Sequence, residues 1–89
     1  MRDRNRNGLI VKGEGHYYYK NDRLHLEGQP AVEWSNGGKW WFINGKCHRE
    51  DGPAIILANG YIAWYIHGQK IECETQEEFL RIVKMKAFL

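Results

Sequence analysis

The sequence predicts a mainly β, small α+β fold, an antiparallel meander of three 23-residue β-hairpin repeats capped by a C-terminal α-helix. Two observations predict it. A shift of 23 residues lays Asn21 on Asn44, His25 on His48, Glu27 on Glu50, Pro30 on Pro53, Ala31 on Ala54 and Asn36-Gly37 on Asn59-Gly60. A fixed period of this size marks a repeat architecture, in which a unit buries its apolar face only by stacking on its neighbours. The period then breaks, and from Thr75 the apolar residues recur at helical spacing. Eighty-nine residues make one domain, near the size at which a single core only just suffices, and four Trp, five Tyr and three Phe supply dense packing.

Residues 1–8 are polar, and Arg2, Arg4 and Arg6 form a basic arm expected to be loose and solvated. Residues 9–72 hold the repeats. The first unit is a hairpin of Leu9 to Lys12 and Gly15 to Lys20 about Gly13-Glu14. The second pairs Ala31 to Ser35 with Gly38 to Ile43, and the third Ala54 to Ala58 with Tyr61 to Ile66. Their Asn36-Gly37 and Asn59-Gly60 turns read as type I′, because both residues tolerate the positive φ that this turn requires. Gly and Pro in Asn44-Gly45-Lys46 and in Arg49 to Pro53 exclude continuous strand between units, and a fourth unit begins at His67-Gly68 and stops after Glu72. Thr75 with Glu78 reads as a capping box that starts a helix over about 76–88, acidic in its first turn and basic later, as the helix dipole favours.

A two-residue turn at Asn36-Gly37 places Trp34 opposite Lys39, Glu33 opposite Trp40 and Val32 opposite Trp41. One face then collects Leu9, Val11, Tyr18, Val32, Trp34, Trp41, Ile43, Ile55, Leu57, Ile62, Trp64 and Ile66. That face is assigned to the core, with Phe79, Ile82 and Val83 of the helix on it. The other face carries Ile10, Tyr17, Tyr19, Glu33, Trp40, Phe42, Ile56, Tyr61, Ala63 and Tyr65. One helix cannot cover both sides of a sheet, so this aromatic row is the candidate binding surface, with Arg23, Lys39 and Arg49 as its nearby cations, against the alternatives of a sheet curved enough to close its rings over one another or a homodimer face.

The formal charge of +2 does not indicate specific nucleic-acid binding. Nothing near Met1 reads as a signal peptide, and no segment approaches membrane-spanning length. Cys47 and Cys73 lie outside any CxxC spacing and read as free thiols in a reducing cytoplasm. His48, Glu50 and Asp51 do not have the spacing of a zinc set. His25 recurs at the phase of His48, which assigns His25, His48, Glu50, Asp51 and Pro53 to loop structure, each His bonding a loop carboxylate or carbonyl. Cys47 and His48 are adjacent and would point to opposite faces, and no Gly-rich phosphate loop follows a strand and opens a helix. These residues give no catalytic, metal or cofactor site.

The wording Trp41-Phe42-Ile43-Asn44-Gly45-Lys46-Cys47-His48-Arg49-Glu50-Asp51-Gly52-Pro53-Ala54 resembles a MORN-like repeat of the kind found in bacteriophage and large DNA virus proteins. The likeness covers about residues 9–71. Where ordinary MORN repeats have Gly after the His, this chain has Leu26 and Arg49. The resemblance implies a non-catalytic binder, most concretely a phage-encoded protein that binds and inhibits a host defence protein in the host cytoplasm. Two alternatives follow from the aromatic row: sequestration of a nucleotide-derived signal by ring stacking and basic groups, or a structural homo-oligomer.

Overall fold

The computed structural model describes residues 6–86. Ten strands precede one helix: β1 (Gly8–Lys12), β2 (Gly15–Lys20), β3 (Arg23–Leu24), β4 (Val32–Trp34), β5 (Lys39–Trp40), β6 (Phe42–Ile43), β7 (Lys46–Cys47), β8 (Ile55–Ile56), β9 (Ile62–Ile66), β10 (Gln69–Ile71) and α1 (Gln76–Lys86). Eight strands form one sheet in the order β1-β2-β4-β5-β8-β9-β10, with β3 also on β2, and β6-β7 form a separate ribbon. All pairings are antiparallel. The expected hairpin meander with a terminal helix is the observed architecture. The expected helix end at residues 87 and 88 lies outside the described residues, as do Arg2 and Arg4.

The repeat is written in the hydrogen bonds as well as in the residues. Tyr18 N donates to Ala31 O and Trp41 N to Ala54 O, both at 2.8 Å, while Gly45 N reaches Leu24 O and Gly68 N reaches Cys47 O at the same distance. Each unit therefore shares one long strand between two hairpins. Its first half pairs within the unit, and its second half folds back through a tight turn towards the next.

The turns differ from the sequence expectation, and the difference moves side chains. Trp34 pairs with Gly38 through Trp34 N to Gly38 O, and Gly37 N closes a turn onto Trp34 O. The loop is therefore Ser35-Asn36-Gly37, three residues with Gly37 alone at positive φ (+98°), the type I turn with a glycine bulge. Leu57, Tyr61 and Gly60 (φ +95°) repeat it. Asn36 and Asn59 serve as acceptors here, their Oδ1 atoms taking the amides of Gly38 and Tyr61 at 3.0 Å. Pairs of positive φ occur instead at Asn21-Asp22, Asn44-Gly45 and His67-Gly68, the two-residue turns between units.

The extra loop residue shifts the register by one, so Glu33 faces Lys39 and Val32 faces Trp40. A slip of one residue exchanges the faces of a strand. Val32, Trp34, Ile55 and Leu57 thus join the aromatic side, and Glu33 and Ile56 cross to the other.

The helix lies on the face opposite the aromatic row. Phe79 is fully buried, with its ring centroid 6.1 Å from that of Trp64. Glu78 N donates to Thr75 Oγ1 at 3.1 Å. The Glu78 carboxylate returns to the amide of Glu74, one residue before the one a capping box uses. Among the described residues the other buried apolar side chains are Ala31, Val32, Trp41, Ala54, Ala63 and Trp64. Leu9, Val11 and Ile62, expected in the core, are 49, 59 and 42% exposed, because the helix and loops cover only the inner columns of the sheet. The N-terminal segment is docked rather than loose from Arg6 on: Asp22 N donates to Arg6 O at 2.8 Å and Asn21 N to Asn7 Oδ1 at 2.8 Å.

Candidate functional site

Two faces emerge from the pairings, and they are finished differently. On one, Trp41 lies beneath the Arg49 guanidinium, whose Cζ is 3.9 Å from the ring centroid, and Trp64 lies beneath Phe79. Arg49 is held there by Asp51 at 2.9 Å and the carbonyl of Pro53 at 3.1 Å. A Cβ on Gly52 would sit 2.8 Å from the guanidinium carbon, so a side chain at that place would push Arg49 off its seat. Gln76 completes the cover by accepting from Trp64 Nε1 at 3.0 Å and donating to Asp51 O at 2.9 Å.

The other face carries Tyr17, Tyr19, Trp34, Trp40, Phe42, Tyr61 and Tyr65, with Ile10, Leu57, Lys12 and Lys70. Trp34 meets Trp40 edge to face at 5.0 Å, and Trp40 lies 6.1 Å from Phe42. Tyr17 folds over Gly15, where a Cβ would approach its ring within 2.7 Å. Most of these rings are half-buried by one another, and Tyr61 is 48% exposed. Trp40 Nε1 is buried without a hydrogen-bond partner. Six ring positions expected from the sequence share this face. Trp34, expected in the core, joins them through the changed register.

The expected cations do not accompany the rings. Lys39 is on the opposite side, 3.9 Å from Glu33, and Arg49 is the cover of Trp41. Arg23 is exposed at the turn edge, its aliphatic stem in line with Gly45. In their place Arg6 stacks on Tyr19 at 4.1 Å, and an open groove is lined by Arg6, Ile10, Lys12, Tyr17 and Tyr19. Arg6 is also paired with Asp22, whose carboxyl it holds below the ordinary range through their hydrogen bond. At the far end Lys70 sits across from Tyr65 and beside Tyr61, whose hydroxyl raises the ammonium above its usual value. Sequence alternation placed Lys12 and Lys70 within reach of this reading, since each follows the phase of the tyrosines.

No protein-family model, curated protein or solved structure matches the chain.

The repeated histidines act between units. His25 Nδ1 accepts from Asn44 N at 2.9 Å and His48 Nδ1 from His67 N at 2.8 Å. A backbone amide can only donate, so each ring carries its proton on Nε2, which faces Glu27 at 3.6 Å or Glu50 at 3.3 Å. His67 additionally stacks on His48 at 4.3 Å. Among the described residues no three His, Cys, Asp or Glu side chains converge as metal ligands would, and no helix is long and apolar enough to cross a membrane. Cys47 and Cys73 are free, and burial pushes the Cys47 thiol up to about 11.

Proposed function

We propose that the protein is a non-catalytic binding module that engages a protein partner through the aromatic face of its sheet. One observation carries the reading: the loop that covers Trp41 and the helix that covers Trp64 both lie on the opposite side, leaving the aromatic row, among the described residues, covered by its own rings and the Arg6 side chain at Tyr19. A contiguous row of half-exposed rings offers the kind of surface used in interaction sites, and Tyr and Trp are the residues that dominate binding energy in them. Its MORN-like wording extends the proposal to a phage-encoded inhibitor of a host protein, acting in the host cytoplasm.

Affinity capture from a bacterial lysate tests it with three immobilised proteins: wild type, Tyr61→Ala/Tyr65→Ala, and Glu33→Ala/Lys39→Ala on the opposite face. A partner retained by the first and third but lost from the second supports the proposal, provided circular dichroism shows all three folded. Equal retention by all three, or none by any, overturns it.

A nucleotide-derived ligand is favoured by the Arg6, Lys12, Tyr17, Tyr19 groove, which sets cations beside two rings. Under this second reading, cyclic dinucleotides or ADP-ribose derivatives raise the melting temperature, and Lys12→Ala abolishes the rise.

A further inference from the structure

The strand order ends at β1, and among the described residues no strand lies on its outer side. Lys12 and Gly15 close a two-residue turn and so form a hydrogen-bonded pair. Antiparallel pairs alternate, which makes Ile10 with Tyr17 bonded and Leu9 with Tyr18, like Val11 with His16, non-bonded. Tyr18 agrees with this, since its amide goes to Ala31 and its carbonyl to His25, both away from β1. The backbone groups of Leu9 and Val11 therefore point outward. These same two residues carry exposed apolar side chains, 49 and 59% accessible. Natural sheets blunt such edges with charge, proline or a bulge. Here the opposite edge, β10, is short and exposes Gln69 and Lys70, whereas the outward-bonding residues of β1, Leu9 and Val11, are apolar.

We infer that β1 is a self-pairing edge, and that two copies of this chain join β1 to β1 antiparallel about a two-fold axis at Ile10. That register pairs Leu9 of one copy with Val11 of the other, twice by symmetry. These are the residues with free donors and acceptors, so each pair closes a bonded ring, and their side chains meet on one face. The same symmetry brings the Arg6 end of one strand beside the Glu14 turn of the other, opposite charges rather than like. An edge of five residues buries less than a standard interface, so the dimer is concentration-dependent. The inference is independent of the aromatic-face proposal and stands or falls without it.

The test is sedimentation velocity on the full chain from micromolar to millimolar, with amide hydrogen exchange at both ends of the range. Expected is a mass rising from 10.5 kDa towards twice that value, with the amides of Leu9 and Val11 gaining protection as it rises. Val11→Pro removes an outward N–H without touching the β1-β2 ladder, and Leu9→Lys adds charge to the seam; each raises the dissociation constant at least tenfold. A monomer throughout, or a dimer that both variants leave intact, overturns it. So does a dimer abolished by Tyr61→Ala/Tyr65→Ala alone.

Discussion

His25 is 9% exposed, and its ring is held at both nitrogens, by the amide of Asn44 and beside the carboxylate of Glu27. The period announced that this residue belongs to the architecture, but only the folded chain shows that Nδ1 ties one unit to the turn of the next. Removing the acceptor leaves the Asn44 amide part-buried and unpaired. His25→Ala is expected to cost about 1–3 kcal/mol. His25→Asn, whose Oδ1 reaches the same point, should recover much of it and His25→Gln little, as read from urea midpoints. Cys47 gives a second residue-scale outcome. Its folded thiol is raised from 9.0 to about 11 by burial, so the neutral form is favoured by folding. That contribution is complete below pH 9 and is lost as pH rises through about 11. Urea midpoints should therefore fall over this window in wild type, and less steeply in Cys47→Ala.

Turns decide the elements. Gly60 has φ +95° and a Cβ there would meet nothing within 4 Å, so alanine is opposed only by backbone strain. Gly60→Ala is expected to lose about 1–2 kcal/mol, and Gly37→Ala, at φ +98° in the same bulge, a like amount. Two equal losses in thermal or urea unfolding confirm that both glycines hold the left-handed conformation of the repeated loop, and no loss at either refutes it. The Asn-Gly pairs were legible as hairpins, and the strands on either side were legible as strands. Loop length was not, because Asn-Gly suits both a two-residue type I′ turn and the last two places of a bulged loop. The choice rests on whether Trp34 bonds across to Gly38, a cross-strand relation that no local pattern contains.

The whole molecule is a thin plate, 46 × 32 × 17 Å, with a radius of gyration of 14.3 Å. A compact chain of this length would have about 12 Å. Among the described residues little of the sheet is roofed, and stability concentrates where the helix meets it. Phe79 is the only helix residue wholly buried among those described, whereas Leu80 and Met85 are 44 and 65% exposed. Phe79→Ala is expected to cost about 3–5 kcal/mol, a large share of the roughly 5–13 kcal/mol that a domain of this size has. The melting temperature should fall sharply and tryptophan emission move to the red as Trp64 becomes solvated. Leu80→Ala should change either little.

By itself the sequence determined the period, the strand and turn segments, the helix and its cap, and the shared phase of Tyr17, Tyr19, Trp40, Phe42, Tyr61 and Tyr65. Each of these depends on neighbours a few residues apart or on the repeat itself. Only the tertiary structure decided that Trp34 stands with Trp40, that Arg49 covers Trp41, and that Arg6, Lys12 and Lys70 are the cations beside the rings. Side chains in a sheet alternate every residue, so one additional loop residue reverses a strand's two faces, and that residue is counted only when the strands bond.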